Sequence, residues 1–373
     1  MAKVTDDGTV MAIQANYYWV RLDQCPQIPL LCTRRTRLKK MGQKVMVGDR
    51  VKVELPGSLL PLPKQGPATV NINHLAEGDL GAIAKCYPRQ SVLDRPPVAN
   101  ADHICLVFSL ADPPLDEWQL SRFLVQAEAT GLSLTLCFNK QDLVDQTAIA
   151  TWQGRLQAWG YDPVLVSVQG RRGIEDLSHC LANKISIMAG PSGVGKSSLT
   201  NALVPGVEQR VKQVSGKLRK GRHTTRHVEL FPLPNGGLLA DTPGFNQPDL
   251  VIPAAQLIQL FPEARRRLAT QSCFFKDCLH QGEPDCAVGS DWERYEHYLT
   301  FLAEAQANQT PENQRESDIG AKTKMGSHGQ AYVEPKLETK KYRRPSRRQT
   351  HQDLQEFCGE DGMEQLREDL ETF

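Results

Sequence analysis

The run Gly190-Pro191-Ser192-Gly193-Val194-Gly195-Lys196-Ser197 satisfies the pattern GxxxxGK[ST] in full. That pattern is chemistry for holding phosphates. Glycines let successive backbone N–H groups wrap an oligophosphate, a lysine reaches the β- and γ-phosphates, and a hydroxyl ligates Mg²⁺. The run sits between KISIMAG, an apolar strand, and SLTNALV, which opens a helix. This is the context the motif requires, because a helix N-terminus adds partial positive charge toward the phosphates. Lys196 is therefore the expected catalytic cation and Ser197 the magnesium ligand, with Ser198 carrying the loop into the helix. The loop alone does not choose between ATP and GTP.

That choice lies upstream. Asn139-Lys140-Gln141-Asp142 follows the strand LSLTLCF directly and matches NKxD, the guanine-reading motif of GTPases. A carboxylate such as Asp142 accepts from both N1–H and the 2-amino group of guanine; adenine has no such donor pair and leaves the acceptor unsatisfied. The Lys140 stem can lie over the base while its ammonium ties the loop together. Ser167, at the end of the strand PVLVSV, opens SVQG, a segment similar to the loop that completes a GTPase base pocket. Asp241-Thr242-Pro243-Gly244 matches DxxG: Asp241 supports Mg²⁺ through water, and the Gly244 N–H senses the γ-phosphate. Between them, GKLRKGRHTTRHVEL offers Thr224 and Thr225 as candidates for the second side-chain ligand of Mg²⁺. A P-loop kinase with a chance NKxD is the competing enzyme; it would bind ATP in preference to GTP.

The order is unusual. Ordinary GTPases place the phosphate loop first and NKxD fourth, whereas here the sequence runs NKQD, SVQG, GPSGVGKS, HTT, DTPG. Ligands of an open α/β sheet bind at the C-terminal ends of its strands, so one site can be assembled from a chain that enters the sheet elsewhere. A consequence is that DTPG closes the nucleotide domain and leads directly into a cluster of metal-binding residue types.

That cluster is Cys273-x4-Cys278-x-His280-x5-Cys286: three thiols and one imidazole within fourteen residues. The set suits structural, tetrahedral Zn²⁺ with every position filled, which argues against a catalytic metal. Buried thiols with a surface histidine are the alternative. The other seven of the ten cysteines are dispersed (Cys25, Cys32, Cys86, Cys105, Cys137, Cys180 and Cys358). Nearby His297 reads as a helix-surface residue.

The elements that must position these groups follow from pattern. Residues 8–90 contain short β-rich runs with turn punctuation, including VMAIQANYYWVRL, VMVGDRVKVEL as two strands about a Gly-Asp turn, and GAIAKCYPRQSVL; these predict a small β-barrel, or else a small sandwich. The intervening PGSLLPLPKQGPATVNINHLAEGD predicts a loop. From about residue 100, strands alternate with helical spacing, which predicts a doubly wound sheet. Residues 306–350 are polar and end in the basic KKYRRPSRRQ, which predicts disorder; the last stretch reads as a weak acidic helix. With 373 residues, 40% hydrophobic and 23% charged, the chain has material for two or three domains. Its net charge of +1 announces no polyanionic partner, so a basic surface must be local. No basic segment with an apolar run opens the chain, and no stretch approaches the roughly 18 apolar residues of a membrane span. The expected compartment is the cytoplasm.

Permuted NKxD, GPSGVGKSS, GRHTT, DTPGF and C-x4-C-x-H-x5-C behind a short barrel together resemble the RsgA family of ribosome-dependent GTPases, over roughly residues 8–305. The resemblance implies a multi-domain chain: an N-terminal OB-fold β-barrel binding RNA (1–92), an α/β circularly permuted P-loop GTPase domain (93–250), a small α-helical zinc-binding domain (251–305), and here a polar extension (306–373). It implies GTP as substrate, Mg²⁺, one structural Zn²⁺, and the small ribosomal subunit with its rRNA as partner of a monomer, in late subunit maturation. Phe245 stands where many GTPases place a water-orienting Gln. The resemblance offers His223 as the substitute, acting when the ribosome orders its loop; a solvated loop histidine is the alternative. Arg34, Arg35, Arg37, Lys39 and Lys40 suit rRNA phosphates, with a plain solvated face as the alternative, and Tyr17, Tyr18 and Trp19 either stack on bases or are split between core and surface. The alternative function is an RNA-binding module that holds GTP only as a structural ligand.

Overall fold

Alternation of apolar and polar residues builds the first layer. The computed structural model describes residues 4–14, 16–26, 29–40, 42, 44–57, 80–94, 96–204, 228–241, 252–308, 321–325 and 331–335. Strands β1 (Thr5–Gln14), β2 (Tyr17–Leu22) and β3 (Pro29–Arg34) form a meander. A short helix α1 (Thr36–Lys40) follows, then β4 (Arg50–Glu54) and β5 (Gly81–Cys86). Neighbours run β1-β2-β3-β5-β4, and β4 pairs back onto β1, so five strands close a barrel. Along β2, Tyr18, Val20 and Leu22 point inward while Tyr17 and Trp19 are half-buried, the period of two that a strand imposes. Tyr18 is thus a core residue, and the Arg34 guanidinium lies over its ring.

β1 has a second use. Its residues Thr5 to Thr9 pair with β4, a bulge falls between Val10 and Ala12, and Ala12 then pairs with Glu229 of the next layer. A bulge bends a strand, and this one turns β1 out of the barrel and onto the α/β sheet. Of the two strands expected in VMVGDRVKVEL, only β4 forms. Val47 instead bridges Val98, and Asp49, fully buried, is clamped by Arg89 at 2.7 and 2.9 Å.

A hairpin of β6 (Val92–Asp94) and β7 (Pro97–Ala99) leads into the α/β layer. There the chain runs β8 (His103–Ser109), α2 (Glu117–Ala129), β9 (Ser133–Asn139), α3 (Gln146–Trp159), β10 (Val164–Leu165), α4 (Ile174–Leu181), β11 (Ile185–Ala189), α5 (Lys196–Leu203), β12 (Glu229–Pro232) and β13 (Leu238–Asp241). Sheet order is β10-β9-β8-β11-β13-β12, parallel except for the β12–β13 pair. PVLVSV contributes only the two paired residues of β10. All seven residues of β8 are buried, because both faces are covered. Cys105 and Val107 face Leu177, Leu181, Leu199 and Leu203 of α4 and α5; Ile104, Leu106 and Phe108 face Leu120, Phe123, Leu124 and Leu156 of α2 and α3. Asp116 and Asp145 cap α2 and α3 by accepting from Gln119 N and Ala148 N.

At the N-terminal ends of these strands His103 is almost wholly buried between Ser186 Oγ (3.0 Å) and Thr135 Oγ1 (2.9 Å). Burial, aided by Lys184, pushes its imidazole down to about 4 from 6.5. The unfolded chain then takes up a proton that the native state refuses. Stability is therefore full above pH 6.5, falls as pH drops from 6.5 toward 4, and the loss levels off at about 3 kcal/mol. The expected outcome is a urea midpoint that declines between pH 7 and 5 in the wild type and declines measurably less in His103→Gln; equal slopes would refute the assignment.

The last layer is α6 (Ala254–Leu257), a 3₁₀ turn (Ile258–Leu260), α7 (Pro262–Thr270), the Cys/His loop and α8 (Tyr295–Asn308). Its core of Leu257, Ile258, Phe261, Tyr298, Phe301 and Leu302 includes Val125 of α2, so the module packs directly on the α/β layer. His297, expected on a helix surface, is half-buried instead, its ring edge-on to Trp118 at 4.5 Å. Beyond α8 the described residues form an antiparallel hairpin, β14 (Ala321–Met325) with β15 (Ala331–Pro335), inside the segment expected to be disordered. The rest of that segment, the acidic terminal stretch and most of the proline-rich loop lie outside the described residues. Among the described residues no helix is long and apolar enough to cross a membrane.

Candidate nucleotide and metal sites

The phosphate loop leaves β11 at Gly190 and enters α5 at Lys196. Two of its glycines have no substitute. Gly190 has φ 134°, and a Cβ there would lie 2.0 Å from the Val107 carbonyl oxygen of the adjacent strand. Gly195 has φ 95°, and its Cβ would lie 2.4 Å from Asn139 Nδ2. Positive φ and close backbone approach are what only glycine tolerates. The Lys196 ammonium donates to the carbonyls of Gly190 (2.8 Å) and Pro191 (2.6 Å), which holds a cation across the mouth of the loop. Ser192, Gly193, Ser197 and Ser198 are exposed around it, while Pro191 and Val194 are buried beneath.

The guanine-reading segment meets this loop at two points. Asn139 is buried and its Nδ2 donates to the Val194 carbonyl at 2.9 Å. Lys140, in the left-handed region at φ 62°, donates from Nζ to the Gly193 carbonyl at 3.0 Å. NKxD and the phosphate loop, joined by contacts that span 55 and 53 residues of sequence, are thus parts of one wall. Asn139 acts here as a strut between the segments. Gln141 is fixed by its backbone N–H on Val166 O at 3.1 Å. The Asp142 carboxylate is exposed and accepts from Ser167 Oγ, which in turn accepts from Gly170 N at 2.8 Å. Ser167 therefore aims the carboxylate, a side-chain role that the reading of SVQG as a pocket-completing loop did not include. A cleft of about 890 Å³ opens beside these elements, lined by Val168, Arg171, Glu175, Asp176, Ser198 and Asn201; of the phosphate-loop and NKxD residues only Ser198 reaches it.

Asp112 was not legible in advance. Its backbone carbonyl and its carboxylate, the latter at 3.2 Å, both accept from Lys140 Nζ, so the loop after β8 helps hold the guanine-reading lysine. No motif marks that aspartate. Of the remaining expected residues, the backbone of Asp241 ends β13 beside Met188 of β11. Its side chain, and His223, Thr224, Thr225 and Gly244, lie outside the described residues.

The Cys/His loop brings its four residues together. Donor atoms of Cys273, Cys278, His280 and Cys286 all lie within 4.8 Å of one another. His280 Nδ1 stands 3.6, 3.6 and 3.3 Å from the sulfurs of Cys273, Cys278 and Cys286. A tetrahedral zinc with ordinary Zn–S and Zn–N bonds requires an N···S edge of about 3.6 Å, so the donor set fits that ion. Burial pushes His280 below its ordinary value, which favours the neutral ring that a metal needs. Around the donors, Glu283 accepts from the N–H groups of Leu279 (2.9 Å) and Gln281 (2.6 Å), Ala287 N approaches Cys273 Sγ at 3.4 Å, and Tyr298 OH donates to Leu279 O. These contacts fix the backbone that presents the ligands.

The metal loop is tied to the nucleotide layer through two residues just beyond it. Glu293 accepts from Arg155 Nε and Trp159 Nε1 of α3, both at 2.6 Å, and Arg155 also forks onto Glu117 of α2 at 2.7 and 2.6 Å. Arg294 is fully buried, paired with Glu263 at 2.7 and 2.5 Å, and stacked 4.8 Å from the rings of Trp159 and Phe261. A buried guanidinium persists only when paired this well.

The chain matches the RsgA GTPase family over residues 86–251. It is 71% identical to the small ribosomal subunit biogenesis GTPase RsgA of Synechocystis sp., across the whole length of both chains. It is 45% identical to the protein of that name from Thermosynechococcus vestitus, over 95% of this chain and 97% of the other. Among solved structures it resembles YjeQ from Thermotoga maritima (TM-score 0.64, 30% identity, 81% of this chain and 99% of that one). It also resembles YloQ, a circularly permuted GTPase (TM-score 0.64, 29% identity, 82% and 97%). Permuted motif order, a phosphate loop braced by NKxD, a closed five-strand barrel and a Cys₃His cluster converge with these likenesses: the chain belongs to the RsgA family of circularly permuted GTPases.

Proposed function

We propose that this chain binds the small (30S) ribosomal subunit through rRNA, in the cytoplasm and as a monomer, and hydrolyses GTP to GDP during late maturation of that subunit. What carries the reading is the joining of guanine-reading and phosphate-binding segments by Asn139 and Lys140, in a chain 71% identical to a relative named a small ribosomal subunit biogenesis GTPase. Asp142, aimed by Ser167, selects guanine; the glycine-rich backbone and Lys196 bind and neutralise the phosphates; Ser197, with Thr224 or Thr225 and with Asp241 through water, holds the magnesium. When bound, that ion would supply charge neutralisation to the phosphates. Gly244 senses the γ-phosphate, and His223 orients the attacking water. Cys273, Cys278, His280 and Cys286 hold one structural Zn²⁺. The barrel order β1-β2-β3-β5-β4 supports an OB-fold, and the half-buried Arg34 and Arg35 with exposed Arg37 support an RNA-facing side. Residues 1–92, 93–250 and 251–305 are the corresponding domains, with 306–373 an extension.

Multiple-turnover hydrolysis with and without small subunits tests this reading. Slow intrinsic turnover, raised at least about a hundredfold by small subunits and not by large ones, is expected of a switch whose catalytic loop is completed by its partner. The stimulated rate should collapse in His223→Ala while GTP affinity holds. Absence of stimulation would favour the RNA-binding module with GTP as a structural ligand.

A further inference from the structure

Between the first two metal donors the chain places two aromatic rings in water. Phe274 is 75% exposed and Phe275 44%, packed edge-to-face on each other with centroids 5.0 Å apart. Exposed phenyl rings cost solvation free energy and on a monomer mark an interaction surface. They cannot retreat into a core. Cys273 and Cys278 anchor the loop at both ends, Phe274 N donates to Asp285 O at 3.4 Å, and Cys278 N donates to Phe275 O at 3.4 Å. The pair is thus pre-organised, which lowers the entropy lost on binding.

The charge around the rings decides what fits them. Within 273–286, Lys276 is the sole cation against Asp277, Glu283 and Asp285, and Asp277 and Asp285 are exposed. Three thiolates and a neutral imidazole about a zinc dication add a further net negative charge. Of the three arginines of the preceding helix, Arg265 is paired with Glu128 and Arg267 with Asp291, and Arg266 turns to the Ala158 carbonyl of α3 at 3.3 Å. A strand of nucleic acid brings one negative charge per phosphate and would be repelled. A guanidinium is attracted twice, by the faces of the rings and by the acidic collar.

We propose that the Phe274–Phe275 knuckle docks an arginine- and lysine-rich segment of a protein component of the small ribosomal subunit, with guanidinium groups stacked on the rings and paired to Asp277 and Asp285. This rests on the small-subunit reading above. RNA contact then belongs to other surfaces of the chain.

The test uses the full-length, zinc-loaded chain with p-benzoylphenylalanine at position 274, irradiated on purified small subunits with a non-hydrolysable GTP analogue. The expected adduct is destroyed by protease and survives ribonuclease, and its yield falls about tenfold in the Asp277→Lys/Asp285→Lys background, as loss of one or two charge contacts dictates. An adduct to rRNA, or no adduct from a chain that co-sediments, overturns the proposal. Failure to co-sediment refutes the subunit reading instead, and the surface is then read without ribosomes, by fluorescence anisotropy of a labelled arginine-rich nonapeptide and of a single-stranded RNA oligonucleotide. Peptide affinity should fall about tenfold in Phe274→Ala/Phe275→Ala while zinc content and oligonucleotide affinity stay unchanged. Unchanged peptide affinity, or loss of the oligonucleotide in its place, overturns the proposal.

Discussion

Asp142→Asn should lower GTP affinity by about a hundredfold to a thousandfold, the largest single effect expected at the nucleotide site. The carboxylate of Asp142 accepts from Ser167 Oγ, and Ser167 is itself held by Gly170 N at 2.8 Å, so the acceptor is aimed before any ligand arrives. Guanine would bring two N–H donors to it. An asparagine turns one acceptor into an amide donor facing another donor. Losing two charge-assisted hydrogen bonds at roughly 1.5–3 kcal/mol each, less partial relief by solvent at an exposed carboxylate, gives the stated range. Xanthine nucleotides carry an oxygen at C2 in place of the amino group, so the same variant should gain affinity for them. Titration with fluorescent guanine and xanthine nucleotides checks both halves. GTP affinity within about threefold of wild type would remove Asp142 from the base site, since even one such bond is worth more than that. Ser167→Ala should lose about tenfold, because it frees the carboxylate without changing its chemistry.

Asp142 could be named as a candidate from sequence because the motif that carries it is contiguous. NKQD, GPSGVGKS and C-x4-C-x-H-x5-C are each set by a short stretch of backbone, so residue type and spacing suffice to name them. The α/β alternation was legible for the same reason: β8 contains the apolar run ICLVF and β9 the run LCF, and α2 and α3 have their own aspartate caps. Other features depend on contacts that no local pattern encodes. Arg155 and Glu293 meet across 138 residues, and Arg122 and Glu304 across 182. As sequence, each is one more charged residue. Arg294 reads as a surface arginine until Glu263, Trp159 and Phe261 are placed around it. The exit of β1 from the barrel depends on a bulge at Met11 and a partner, Glu229, more than two hundred positions away. One strand of the barrel was also overread: the turn expected at Gly48-Asp49 is present, with Gly48 at φ 87°, but VMV before it gives only an isolated bridge from Val47 to Val98.

Removing the metal should unfold the knuckle and leave the nucleotide sheet standing. Between Cys273 and Asp291 only His280 and Val288 are buried, with Leu279 and Cys286 half-buried against the helical core, so that stretch has little apolar core of its own and its order depends on the four donors. Cys278→Ala should reduce zinc from one equivalent to none and expose residues 271–291 to protease. Binding free energies of structural zinc are of order 10 kcal/mol, far above what Tyr298 OH on Leu279 O or the Glu283 turn could supply. The damage should then travel. Glu293 and Arg294 follow the loop directly, and their release takes partners from Arg155 and Trp159 on α3. The consequence bears on the permuted motif order. Permutation puts DTPG next to the metal module in sequence, yet the described contacts of that module run to α2 and α3. Those helices begin just after the strand ends that carry Asp112 and Lys140, the residues that brace the guanine-reading lysine against the phosphate loop. A metal-free chain should therefore keep GTP affinity within about threefold, because Asp142 and the phosphate loop stay on the sheet. It should lose stimulation by small subunits, because the module that would report on the base end is no longer fixed to it. Stoichiometric zinc in Cys278→Ala, or wild-type protease resistance without zinc, would show that the four residues do not hold the loop. Loss of GTP binding together with the metal would show that the sheet itself leans on the knuckle, and the two layers would then be one cooperative unit.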